Sequence, residues 1–152
     1  MVWSEIDLSR ALWTLPAARN KSKREHEVPL SPAMVELLGT PRPGPVFTID
    51  GRVPYSAYHQ AKIALDRESG VTGWRLHDLR RTVSTGMAAL HVSQDTIERV
   101  LNHAIDPLAQ TYNRHEYLNE KRRALELWAE RVAVIVGDGR DAVNVVELRA
   151  GT

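Results

Sequence analysis

Several residues in this chain are of types that handle phosphate groups and protons. His77 and Arg80 lie three positions apart in Trp74-Arg75-Leu76-His77-Asp78-Leu79-Arg80-Arg81-Thr82, so a helix there projects both from one side. Arginine offers a rigid fork of donors and stays charged, while imidazole moves protons, a combination suited to an oxyanion such as phosphate. The same spacing also occurs on ordinary polar helix faces, so the pair needs company. His103 follows Arg80 by 23 positions, Tyr112 follows His103 by 9, and a basic turn, Arg19-Asn20-Lys21-Ser22-Lys23-Arg24, lies well upstream. Taken alone, that turn could be no more than a solvated loop. His26, His59, His91 and His115 match no metal-ligand spacing, so no metal site is expected, and they read as solvated or locally hydrogen-bonded. Tyr117 opens an apolar helix and reads as a packing residue.

To bring these groups together the chain needs a hairpin upstream and helices downstream. Residues 11–15 and 27–30 are β-like segments around the basic turn, and Pro29, which cannot donate to a ladder, puts the second strand at an edge. Ser31-Pro32 starts a short helix that Gly39 closes. Residues 55–69 form a second helix, ended by Gly70. Leu76, Leu79, Val83, Met87 and Leu90 recur at helical spacing, predicting a helix over 77–90 with Leu79 and Val83 toward the core. Ser93 caps the next helix, whose stripe is Ile97, Val100 and Leu101. Pro107 interrupts before residues 108–112, and Leu118, Leu125, Trp128, Val132 and Ile135 mark a longer helix. The alternation of Arg122, Arg123, Glu126, Glu130 and Arg131 permits stabilising pairs along it. In the tail, Asn144-Val145-Val146-Glu147-Leu148 is strand-like and is expected to dock on the edge of the sheet, in its own subunit or in a neighbouring one. The fold class is therefore mainly α with a small antiparallel β-sheet, an α+β arrangement.

A length of 152 residues with 43% hydrophobic content supports one ordinary core. Lys plus Arg number 20 against 19 for Asp plus Glu, a formal net charge of +1, so any nucleic-acid surface must be local. With no cysteine, disulfides, thiolate metal sites and cysteine nucleophiles are excluded. Glu5 and Asp7 fall where a signal peptide needs an apolar core, and no run of about 18 apolar residues occurs, so a soluble cytoplasmic protein without membrane contact is expected.

Four strings in order carry a resemblance. Asn20-Lys21-Ser22-Lys23-Arg24-Glu25-His26-Glu27-Val28-Pro29-Leu30, His77-Asp78-Leu79-Arg80, Leu101-Asn102-His103 and Thr111-Tyr112-Asn113-Arg114 resemble the successive motifs of the tyrosine recombinases, or phage integrases. The likeness covers residues 3–135, and Arg122-Arg123 with Trp128 is most similar to integrases of prophages and genomic islands. It implies the catalytic-domain fold of that family and a DNA breaking and rejoining reaction through a 3′-phosphotyrosyl intermediate. Tyr112 would be the nucleophile, Arg80 would grip the non-bridging oxygens, His77 would assist proton movement and His103 would donate to the phosphate. Lys21 would be the general acid on the leaving 5′-oxygen, with Lys23 as the lesser candidate. Lys23, Arg24, Arg75 and Arg81 would contact DNA. No cofactor is implied, and the partners would be double-stranded attachment-site DNA in a bacterial nucleoid and further copies of the chain, as dimers or tetramers. Where the family usually has glycine, this chain has Asn102, a residue that tolerates left-handed backbone.

The family's first catalytic arginine precedes the segment matched by Trp3 to Asp7, and Arg10 lies on the wrong side of that marker to replace it. The expectation is thus a partial catalytic domain over 1–136, lacking its first helices, with a tail over 137–152, and little cleavage by the chain alone. The rival reading is a non-catalytic remnant that keeps DNA binding or dimerisation. A type IB topoisomerase would need different spacing, and a helix-turn-helix regulator would leave Lys21, His103 and Tyr112 unexplained.

Overall fold

The structure is a computed structural model that describes residues 1–103 and 117–137. Tyr112, the segment 108–112 that follows Pro107 and the strand expected over 144–148 lie outside the described residues. Within them the fold is α+β, with a three-stranded antiparallel sheet and five α-helices. The strands are β1 (Ile6–Asp7), β2 (Leu12–Leu15) and β3 (His26–Pro29), in the order β1-β2-β3. β2 and β3 pair Leu12 with Pro29 and Leu15 with His26, so β3 is the edge that Pro29 demands. β1, only two residues long, is too short to show an alternating pattern and was not foreseen.

Helix α1 (Pro32–Leu38) starts where Ser31 Oγ accepts from Met34 N at 3.3 Å, and ends at Gly39. Helix α2 (Tyr58–Ser69) begins three residues later than the pattern suggests. Tyr55 N donates to Phe47 O at 2.8 Å and the Tyr55 hydroxyl to Ala57 O at 3.1 Å, which keeps residues 55–57 out of the helix. Helices α3 (Leu76–Ala89) and α4 (Gln94–Val100) follow, with Ser93 Oγ accepting from Thr96 N as the α4 cap. Helix α5 (Leu118–Val136) closes the described chain and packs on α3, α4 and β3.

Met87, Ile97, Leu101 and Ala124 form the buried centre, with Val83, Val92, Val100, Leu125 and Trp128 around them. Gly86 lets α5 approach, because a Cβ there would fall inside the Trp128 indole. The expectation for α3 fails at its start: Leu79 does not face the core but is 55% exposed, and Leu76 is 50% exposed. The α3 residues that join α4 and α5 in the buried cluster are Val83 and Met87, beyond those two leucines. The stripe on α5 likewise runs past its contacts, leaving Ile135 at 65%.

Candidate functional site

The turn after α4 places His103. Asn102 has φ 53°, the left-handed conformation expected of it, with Asn102 N donating to Arg99 O at 3.2 Å and His103 N to Glu98 O at 2.9 Å. This is a Schellman ending with asparagine where glycine is usual. α3 ends the same way through His91, φ 60°, so that histidine holds a turn. The His103 side chain also returns to Glu98, through Nδ1. With Nδ1 bonded to the carboxylate, Nε2 accepts from Arg80 Nε at 3.3 Å. Two candidates 23 positions apart are therefore in direct contact, at the open edge where α3 meets the α4 turn. His77, one turn before Arg80, is exposed.

The hairpin approaches the same place through two polar side chains. Asn20, 4% exposed, accepts from Asn102 Nδ2 at 3.0 Å, one residue before Lys21 on one side and one before His103 on the other. Lys21, Lys23 and Arg24 are all exposed on this loop. Its far side is tied down by an ion pair between Arg19 and Glu5, whose carboxylate also accepts from Trp13 Nε1 and Val2 N. Burial works to raise the Glu5 pKa, but these bonds outweigh it and hold the carboxyl below its usual range.

His26 corrects the expectation of a solvated or merely local histidine. Its ring is partly buried between β3 and α4, with its pKa lowered to about 4. Burial is the main cause, followed by the charge of Lys121; a bond to the Val100 backbone opposes the shift, and Arg80 adds to it. Staying neutral, His26 adds no third positive charge to a site already holding Arg80 and Lys121. Lys121 is itself 6% exposed, and its Nζ donates to Glu27 O at 2.6 Å, fastening α5 to β3. Arg122, beside it, donates to Arg10 O at 3.0 Å.

Not every candidate belongs to this cluster. Arg75 is exposed at the start of α3, where its backbone N donates to Asp78 Oδ2 at 2.8 Å. Arg81 pairs with Asp78 and lines the groove between α3 and α5 with Trp128 and Arg131, a different side of the helix from Arg80. Tyr117 starts α5 with its ring under the Arg99 guanidinium, 3.9 Å from the centroid, in line with a packing role. Asn20, His26, Glu98 and Lys121 were not singled out as site residues from the sequence. The one signal for two of them was their place inside the basic string before Val28-Pro29-Leu30.

Over 86% of its length the chain is 32% identical to prophage integrase IntA of Escherichia coli strain K12. It is 36% identical to prophage integrase IntZ of the same organism over 90% of its length, and 28% identical to the integrase of Shigella phage Sf6 over 86%. The chain is a relative of the prophage integrases. It spans about a third of the length of these relatives, 33% of the first and 36% of the other two. No protein-family model matches this integrase relative, and no solved structure matches it. Among the described residues no helix is long and apolar enough to cross a membrane, and no cluster of His, Asp and Glu could hold a metal ion.

Proposed function

We propose that this integrase relative carries part of the strand-transfer site of a tyrosine recombinase, with that family's catalytic fold, and cuts and rejoins double-stranded DNA. The observation that carries the reading is the contact of Arg80 Nε with His103 Nε2 at 3.3 Å. A phosphate entering there would replace His103 Nε2 as acceptor for the Arg80 guanidinium, with the imidazole, held at Nδ1 by Glu98, donating to it once Nε2 carries a proton. Tyr112 Oη attacks phosphorus and loses its proton with help from His77. The bond from phosphorus to the 5′-oxygen breaks, and Lys21 protonates that oxygen. The phosphotyrosyl bond keeps the phosphodiester energy, so a free 5′-hydroxyl reverses the step without ATP or metal. Lys23, Arg24 and Arg75 hold the flanking backbone, Arg81 reaches it from the neighbouring face, and copies of the chain assemble on the DNA as dimers or tetramers.

Incubation with nicked suicide DNA carrying the attachment site tests this. Tested within a protein of its relatives' full length, the parent should form a covalent protein–DNA adduct, Tyr112→Phe none, and Tyr117→Phe the parental amount. Adduct from Tyr112→Phe at the parental level would overturn the assignment.

A further inference from the structure

The loop of residues 16–25 carries Lys21 but is organised by the residue before it. Asn20 N bonds back to Pro16 O at 3.1 Å, Lys23 N donates to Asn20 O at 3.0 Å, and Asn20 Nδ2 donates to Arg24 O at 2.7 Å. Asn20 Oδ1 accepts from Ser22 N at 3.3 Å and from Asn102 Nδ2 at 3.0 Å. A backbone carbonyl can only accept and a backbone N–H can only donate, so the Asn20 amide has one orientation. Asn102 must therefore present its NH₂ group. Its left-handed backbone does not require that group, since glycine would make the same turn. What the Asn102 side chain adds is this bond to a buried amide 82 positions away.

We propose that the Asn20–Asn102 amide pair is a positioning device that sets the Lys21 loop against the His103 turn. The inference rests on the function proposed above, because it gives the pair the task of aligning a leaving-group acid with a phosphate-binding side chain. Lys21 and His103 each follow a member of the pair by one residue, so one hydrogen bond ties the loop directly to the turn. Lys21 itself is exposed on this loop. Losing the bond would let the loop drift by the ångström or so that costs general-acid catalysis most of its advantage.

Asn102→Gly in the full 152-residue chain separates this role from that of the turn, because it keeps the backbone and deletes the amide. Two quantities are read. Hydrogen exchange at the Ser22 and Lys23 amides should rise by about 5–10-fold, the loss of one net hydrogen bond, while exchange at Met87 and Ile97 stays at the parental rate. Single-turnover cleavage of nicked DNA with a 5′-oxygen leaving group should fall by roughly 10–100-fold, whereas a 5′-bridging sulfur, which hardly needs a proton, should leave near the parental rate. Unchanged exchange at Ser22 and Lys23, or an equal loss on both substrates, would overturn the proposal. The exchange rates, read on the chain itself, decide whether the pair holds the loop; the cleavage comparison is made in a protein of the relatives' full length, where a parent that cleaves neither substrate would count against the strand-transfer reading.

Discussion

The block built from β2, β3, α4 and α5 and the segment from Phe47 to Trp74 hold themselves together in opposite ways. In the block the bonds that matter are distant in sequence: Asn20 to Asn102, Lys121 to Glu27, Arg122 to Arg10. Around α2 they are local. Tyr55 stacks edge-on with Tyr58, Lys62 pairs with Asp66 at 2.5 Å, and Lys62 sits 4.6 Å from the Trp74 ring centroid. The same stretch leaves Phe47, Ile49, Val53, Ile63, Leu65 and Val71 exposed among the described residues, with Ile49 at 85%. The candidate site lies on the block and on the adjoining face of α3, which Arg80 ties to His103, so long-range bonds fix the positions of its side chains. Stability and site geometry should therefore respond together to changes in the block and hardly at all to changes near α2.

The sharpest break comes where α3 meets α5. Gly86→Ala drives a methyl group into Trp128 and should destabilise the fold by about 2 kcal/mol, even though alanine favours a helix by up to ~1 kcal/mol over glycine. Thermal unfolding measures this, and adding Trp128→Leu should recover part of the loss by making room. Independence of the two substitutions would show that the helices do not touch as described.

A smaller effect separates the regions by pH. His26 takes a proton near pH 6.5 when unfolded but only near 4 in the fold. Its contribution is thus complete above about 6.5 and is lost as pH falls through this interval toward 4. Allowing for the ring's partial contact with solvent, the parent should lose about 1–2 kcal/mol more than His26→Gln across it. Parallel denaturation profiles for the two proteins would mean that the ring is free to protonate in the fold. Least of all should follow from Ile63→Ser on the exposed side of α2, within roughly 0.5 kcal/mol of the parent. A loss several times larger would place α2 inside a packed core and erase the contrast.

The contrast also explains what could be read in advance. Signals that act within a few residues were legible: the caps at Ser31 and Ser93, the closing Gly39, the edge position dictated by Pro29 and the left-handed Asn102. Helical periodicity located α3, α4 and α5, but it says nothing of where a partner helix stops. Leu79 continues the stripe of Val83 and Met87 and yet lies outside their contact. Long-range polar bonds leave no periodic trace. Nothing in the spacing of Asn20 and Asn102 announces that they meet, and a buried Lys121 reads in sequence like any solvated helix lysine. The resemblance gives Arg80 and His103 separate roles on one phosphate; their direct contact, and Glu98 behind His103, carry no signal in the sequence.

The central claim is that Arg80 and His103 hold a DNA phosphate for attack by Tyr112, and peptide mapping of the DNA-linked chain tests it most directly. After digestion of adducts formed on nicked suicide DNA, the nucleotide should remain on the peptide containing Tyr112, through a 3′-phosphate and with a free 5′-hydroxyl released. Arg80→Ala should lower the yield by about 10²–10³-fold, as expected for one lost donor to a transition-state oxyanion. A nucleotide attached to any other residue, or an undiminished yield from Arg80→Ala, would contradict the account.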